Sequence, residues 1–386
     1  MKKGLKITLI TIAVVIGLII AIAGAYVGYI FGSYSRIGDV DLDINKSATL
    51  DMVDVNTTYS ISTYNIGFGA YSQDYTFFLD TGYDDEGNAT CGHWSKGRSK
   101  DEVLFNTNGA INTIKELNPD FMLFQEVDTK STRSYKINQN EMIINAFTAC
   151  DNVHCVNFHS AYLPYPLYDM HGSVNAGLTI LSKYKMQTAQ RKQYTIADDF
   201  SKLFDLDRCF AVTTIKIAND KKLYIVDSHM SAYDKGGTIR EKQMAELNAF
   251  LKACQEEGSY VIVGGDYNHD LITYNPLYSY TNENRAFGVT KKAPDWVAYM
   301  FNEEGKSPIM DGYTIYAADN NPTCRNNDIE WEPGKTFVCT VDGYIVSNNI
   351  KVTKIEAIKT KQGKKGIDGF AFADHEPVYM EFELIG

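Results

Sequence analysis

Asp266 and Asn268 stand two residues apart at the end of Val261-Ile262-Val263-Gly264-Gly265-Asp266-Tyr267-Asn268, an apolar run that stops in a carboxylate and an amide. Such a run reads as a strand buried on both faces. A strand tip that sends an acceptor and a donor to one side can grip a reacting phosphate. A Gly-Asp at a strand end is more often an ordinary turn, so the chemistry depends on partners elsewhere in the chain.

Those partners occur in order. Ser60-Ile61-Ser62-Thr63-Tyr64-Asn65-Ile66 carries an amide at its tip, and Asp120-Phe121-Met122-Leu123-Phe124-Gln125-Glu126-Val127 reads as an apolar strand ending in a carboxylate. Leu223-Tyr224-Ile225-Val226-Asp227-Ser228-His229 ends in a histidine, Asp342 precedes Gly343-Tyr344-Ile345-Val346, and Asp374-His375 comes shortly before the C-terminus. This series resembles the endonuclease/exonuclease/phosphatase superfamily over residues 60–383. The matching elements are an Asn after the first strand, a Gln-Glu pair, a strand-end His, Gly-Asp-x-Asn, a late Asp and a terminal Asp-His. Val174-Asn175-Ala176-Gly177 followed by an apolar stretch and Ser182-Lys183-Tyr184 is similar to the family's central strand.

A phosphodiester repels hydroxide, so its hydrolysis needs a cation on a non-bridging oxygen, a positioned water and stabilisation of a more negative transition state. Hard divalent ions take oxygen ligands, and Mg²⁺ keeps several waters. The resemblance implies that Glu126 anchors the metal, with Asn65 adding a carbonyl oxygen or orienting a neighbour. Mg²⁺ is the expected ion, with Mn²⁺ or Ca²⁺ as alternatives. It further implies that Asp266 orients or deprotonates the attacking water, that Asn268 donates to a phosphate oxygen, and that His229 and His375 face the same group. The late Asp342 is assigned to His375, where a carboxylate fixes the tautomer and raises the histidine pKa. Asp374 is then free to bind or orient metal or water. Arg325 and Asn175 are the candidate substrate contacts, and the segment Ser131-Thr132-Arg133-Ser134-Tyr135 is a further one.

Taken singly, these residues have plainer roles: Asn65 as a turn cap, Glu126 at the start of a solvated loop, His229 as a satisfied core histidine. Their joint occurrence in order argues against coincidence. Ser228 beside His229 suggests a nucleophilic triad, but there is no Gly-x-Ser-x-Gly elbow. Cys150 and Cys155 lack a second ligand pair for zinc.

Residues 7–31 contain no charged side chain, which is long enough to span a hydrocarbon core. Lys2, Lys3 and Lys6 precede this stretch and only Arg36 follows soon after, so residues 1–6 are expected in the cytoplasm and the remainder outside. Ala21-Ile22-Ala23 offers a cleavable signal as the alternative, which would give a secreted protein. Residues 32–58 read as a linker without sustained periodicity, and residues 59–386 as one catalytic domain.

Helical spacing is expected near residues 102–117 and 238–257, between strand-like runs. With the resemblance, this implies an α/β protein: a four-layer α/β/β/α sandwich of two mixed sheets flanked by helices, after one transmembrane helix. Residues 67–100 form a long aromatic insert that is expected to overhang the site, its rings stacking on bases, seating a lipid or packing a small core of their own. The insert's acidic residues do not have the spacing of an EF-hand. The basic groups at Lys96, Arg98 and Lys100 and across residues 359–365 read as solvated loops, with phosphate clamps as the alternative. Seven cysteines leave at least one unpaired.

The net charge of −11 opposes non-specific binding to DNA, without excluding a nuclease that reaches phosphate through a cation. The expected function is an exported, membrane-anchored, divalent-metal-dependent phosphodiesterase, with nucleic acid as the first substrate. Phospholipid in the manner of a sphingomyelinase, or a phosphomonoester, is the alternative. A catalytically inactive surface binding module is the non-enzyme alternative. No obligate protein partner is evident.

Overall fold

The computed structural model describes residues 3–84, 86–203, 205–219, 221–232, 235–278, 292–301 and 309–386. Its architecture follows from strands that are apolar on both faces. Along Phe121–Asp128, Phe121 and Leu123 enter one hydrophobic cluster while Met122 and Phe124 enter another. Along Tyr260–Asp266, Tyr260 and Ile262 join the first cluster, and Val261 and Val263 join a third. Alternate side chains of a strand point to opposite faces, so a continuous apolar run implies cover on both sides.

That cover is two sheets packed face to face with helices outside. One sheet has seven strands in the order Val40–Asp41, Met186–Gln193, Cys209–Lys216, Lys222–His229, Tyr260–Asp266, Asp342–Ser347 and Tyr313–Ala317. The other has six, in the order Ile350–Ala357, Val378–Leu384, Thr58–Asn65, Phe121–Asp128, Asn175–Ser182 and Asp151–His159. Both are mixed: Lys222–His229 runs parallel to Tyr260–Asp266, and Thr58–Asn65 runs parallel to Phe121–Asp128. The cluster between the sheets draws Ile61, Leu123, Leu178, Ile225, Ile262 and Met380 from both.

Lys100–Leu117 and Gln139–Ala146 cover the six-stranded sheet through Ala110, Ile111, Ile114 and Ile143. Thr238–Glu256 covers the other through Met244, Leu247, Leu251 and Cys254. The helix from Lys100 starts cleanly because Ser99 accepts a hydrogen bond from the Glu102 N–H and Asp101 and Glu102 lie in its first turn. Asn118 in the left-handed region ends it.

Lys3–Ser33 is one helix, long and apolar enough to cross a membrane, as is true also of signal sequences. The stretch read as a linker differs from expectation. Val40–Asp41 pairs with Met186–Gln193, Asn45 bridges to Asn152, and Val53 is fully buried in the inter-sheet cluster. Isolated aliphatics without periodicity are what a segment shows when it lies along a sheet edge, touching the core only at intervals.

Residues 67–100 carry a small core of their own, formed by Phe68, Ala70, Tyr71, Tyr75 and Phe77. Asp84 accepts from the Glu86 and Asn88 N–H groups of its own turn, and Asp80 accepts from Asn327. Asp84 thus serves its own turn, and Asp80 ties the insert to a distant segment. All seven cysteines are free thiols.

Candidate active site

Strand register assembles the site. In the seven-stranded sheet His229 pairs with Asp266, and Asp266 pairs with Asp342, so three polar side chains lie side by side on adjacent strands. Gly265 permits this close approach: its φ is +143°, and a Cβ there would lie 1.9 Å from the Ser228 carbonyl oxygen. In the six-stranded sheet Asn65 pairs with Gln125, which puts Glu126 at the same end. The ladder to Asn175–Ser182 slips between Phe124 and Val127, and Glu126 has φ +55°. This irregularity re-aims Glu126 out of the ladder.

Asp266 is the hub. Its Oδ2 accepts from Asn65 Nδ2 at 3.0 Å and lies 3.5 Å from His229 Nε2 and 3.7 Å from His375 Nε2. Its Oδ1 accepts from the Asn268 backbone N–H at 2.8 Å. The His375 Nδ1 is 2.8 Å from Asp342 Oδ2, so the late aspartate does hold the terminal histidine. Asn65 acts through its amide nitrogen, which also reaches Glu126 Oε1 at 3.5 Å, while its carbonyl oxygen accepts from Gly67 N–H at 3.0 Å. It orients two carboxylates.

Asn268, in the left-handed region at φ +49°, donates one amide hydrogen to the Met230 carbonyl and retains a second. The Arg240 guanidinium donates to the Asn268 carbonyl.

Burial sets the charges. His229 is held well below the usual histidine range by burial and by the nearby Arg208, so its ring is neutral. Burial pulls His375 the same way, but the carboxylates of Asp342 and Asp266 outweigh it and raise it well above that range, making it a cation. Burial raises Asp266, with His375 opposing and Asp342 reinforcing the rise. Asp374 is pushed up to about 6, chiefly by burial and then by Glu126, against His375, Arg325 and Asn327.

Asp374 Oδ2 accepts from Asn327 at 3.0 Å, whereas Oδ1 is buried without a hydrogen-bond partner. An orphaned carboxylate oxygen repelled by a half-buried glutamate fits a divalent cation between them. Asp266, Asp342 and His375 also offer ligand-type atoms within 4.8 Å of one another. A cation there would have to displace the His375–Asp342 hydrogen bond, so the Glu126–Asp374 side is the better place.

Arg325 is buried. Its guanidinium donates to the Ser72 and Tyr75 carbonyls at 3.0 and 3.5 Å, tying the aromatic insert to the site. Asn175 starts its strand with Oδ1 accepting from Thr129. Arg133 is buried over the Phe68 ring, bonded to Asp128 and 3.9 Å from Glu126 Oε2. Four members of the basic clusters are in ion pairs: Lys96 with Asp169, Arg98 with Asp74 and Glu102, Lys364 with Asp74, Lys365 with Glu330.

Asn327 and Gly67 were not singled out from sequence. Gly67 has φ +50°, and a Cβ on it would lie 2.8 Å from Asp374 Oδ1. Only a Gly followed by a second turn glycine, Gly69, hinted at this.

No curated protein matches the sequence. Among solved structures, D. rerio TDP2 complexed with single-strand DNA product is 12% identical, with 85% of this chain and 100% of that chain covered and a TM-score of 0.51. The human Nocturnin catalytic domain with bound sulfate is 13% identical, covering 89% and 96%, at 0.50. ANGEL2, a 2′,3′-cyclic phosphatase in complex with adenosine-2′,3′-vanadate, is 15% identical, covering 89% and 99%, at 0.50. These likenesses concern the fold. A family model matches residues 103–299, just over half of the chain. With that match, the chain belongs to the Endonuclease/Exonuclease/phosphatase family, whose members are hydrolytic phosphoesterases.

Proposed function

We propose that the protein is a divalent-metal-dependent phosphodiesterase acting by in-line attack of water. In this reading residues 1–6 are cytoplasmic and residues 7–31 span the membrane. The catalytic body takes in the chain from Val40 rather than from residue 59 and stands outside the cytoplasm. The observation that carries the chemistry is the convergence of Asn65, His229 and His375 on Asp266 Oδ2 at 3.0 to 3.7 Å.

Glu126 and Asp374 would hold Mg²⁺, which when bound polarises a phosphate oxygen and offsets the growing negative charge. Asp266 orients the attacking water and accepts its proton, a task suited to a carboxyl raised above its ordinary range. His375, cationic and held by Asp342, donates from Nε2 to a phosphate oxygen. Neutral His229 and the second N–H of Asn268 are further donors, each such hydrogen bond contributing up to about 3 kcal/mol in the transition state. Asn65 keeps Asp266 and Glu126 in mutual register. Asn175 is left as a candidate at the substrate's edge, and Arg325 supports the insert rather than the substrate.

Nucleic acid is the first substrate class, carried over from what the D. rerio TDP2 and ANGEL2 structures contain. A phospholipid phosphodiester is the second reading, favoured by the exposed Tyr165, Leu167 and Tyr168, of which Tyr165 and Tyr168 pack against the insert. The test is nicking of supercoiled plasmid by the full chain in detergent, with Mg²⁺, with EDTA, and with Asp266→Asn. The same samples are assayed on phospholipid vesicles and a phosphomonoester. Metal-dependent nicking that falls by about 10²–10⁴-fold in the variant supports the nuclease. Lipid turnover without nicking moves the substrate to phospholipid, and no turnover of any phosphoester by folded protein overturns the enzyme reading.

A further inference from the structure

The loop between the strands Asp151–His159 and Asn175–Ser182 is closed by a bridge between Leu163 and Gly172. Its tip exposes Tyr165 at 59%, Leu167 at 77% and Tyr168 at 65%, a run of large apolar side chains in one place. Single exposed apolar residues are ordinary, but a contiguous group marks an interaction surface.

The position of the loop identifies the occupant. Tyr26 in the N-terminal helix donates from its hydroxyl to the Tyr162 carbonyl at 2.8 Å, and the Tyr162 N–H donates to the Tyr29 hydroxyl at 3.2 Å. Ile30 is buried against Ala161 and Leu203, and the rings of Phe31 and Phe200 lie 6.2 Å apart. At 1.5 Å per residue, a hydrocarbon core of about 30 Å takes about 20 residues. Counted from Ile7, the far edge of the core falls near Tyr26. The loop is therefore joined to the helix at the depth where the hydrocarbon ends, and tyrosine is a residue type favoured at that boundary.

We propose that Tyr165, Leu167 and Tyr168 form a surface seated in the headgroup region of the bilayer that the N-terminal helix spans. The proposal rests on the anchor reading above. Continuity with the helix selects lipid over a second copy or another protein. The surface also ties the lipid face to the catalytic site. Tyr165 lies 5.9 Å from Phe78, Tyr168 stacks on His93 at 5.0 Å, and Phe78 continues through Phe77 to Tyr71 beside Gly67 and Asp374. A site wall built on a membrane-seated loop keeps the catalytic groups at a set, short distance from the lipid.

The test reconstitutes the full chain in phosphatidylcholine vesicles with unmodified acyl chains, with chains brominated near the headgroup, and with chains brominated near the methyl end to reach the middle of the core where Ile16 falls. Two variants, Leu167→Trp and Ile16→Trp, replace exposed side chains, and each is read as emission added over the unsubstituted protein. The expected result is that the emission added by Leu167→Trp lies to the blue, is lost in vesicles brominated near the headgroup and resists aqueous iodide. If iodide quenches it and bromolipid does not, while the helix variant is quenched by bromolipid, the anchor stands and the surface proposal falls. Protection from both quenchers would mean that protein covers the loop, which also overturns the proposal. If bromolipid quenches neither variant, the anchor reading fails first and takes the proposal with it.

Discussion

Asp374→Asn separates electrostatics from shape at the proposed metal site. In the fold this carboxyl is raised from an ordinary value of 3.8 to about 6 by burial and by Glu126. A carboxyl with a raised pKa binds its proton more tightly in the folded state. It therefore does no harm at low pH and opposes folding increasingly as the pH climbs from about 4 to about 6. A difference of about two pKa units at 1.36 kcal/mol each is about 3 kcal/mol against the metal-free fold at neutral pH. Asparagine cannot ionise, and it keeps an oxygen for Asn327. The value of about 6 already includes the attraction to His375 and Arg325, so the variant should be more stable than the parent by about 3 kcal/mol at pH 7.5 in EDTA.

At pH 4 the two should converge. Mg²⁺ at 100 times its Kd should stabilise the parent by about 2.7 kcal/mol and the variant much less. The assay is denaturant unfolding of the full chain in detergent, followed by tryptophan fluorescence from pH 4 to 8, with EDTA or Mg²⁺. Comparing the two proteins cancels other titrating groups, such as Glu376, which is raised to about 7. A variant that tracks the parent at every pH, or gains as much from Mg²⁺, would refute the assignment of Asp374.

Two further substitutions probe neighbouring parts. Asp342→Asn removes the leading carboxylate that keeps His375 cationic. A histidine raised by its partner holds its proton until pH passes the folded pKa, so losing the partner should move the alkaline limb of the kcat–pH profile to lower pH and cost about 10²–10⁴-fold in kcat above neutrality; an unmoved limb would disprove the pairing role. Gly67→Ala puts a Cβ 2.5 Å from the Tyr71 ring and 2.8 Å from Asp374 Oδ1 at φ +50°, which should cost about 1–3 kcal/mol and weaken Mg²⁺ binding in titrations. Parental stability and Mg²⁺ affinity would show that this turn does not shape the metal side.

Much was legible from local pattern. Apolar runs that end in a polar residue located the strand tips at Asn65, His229 and Asp266, whereas Glu126 lies two residues before the end of its strand, and helical spacing located residues 102–117 and 238–257 within a residue or two of the helices found. These signals are local, because burial on both faces of a strand or one face of a helix leaves its period in the sequence. The family resemblance supplied the pairing of Asp342 with His375, which local pattern alone does not contain.

Other features depended on contacts between segments far apart in the chain. A linker and a sheet-edge segment share the same lack of periodicity, so the pairing of Val40–Asp41 and the burial of Val53 had no local signature. Arg325 was chosen as a cation near the site, but the carbonyls of Ser72 and Tyr75 claim it because the insert folds back over it.

The sequence by itself determined which side chains sit at the tips of the buried strands, and that one helix is long and apolar enough for a membrane. The tertiary structure decided how those tips meet. Register aligned His229, Asp266 and Asp342, the packing of the second sheet brought Asn65 to Asp266, and the slip beside Gln125 and Glu126 turned Glu126 away from its ladder. The physical reason is that a strand's period records burial of its own faces, whereas register, sheet packing and the ownership of a buried charge are settled only when distant segments compete for the same hydrogen bonds.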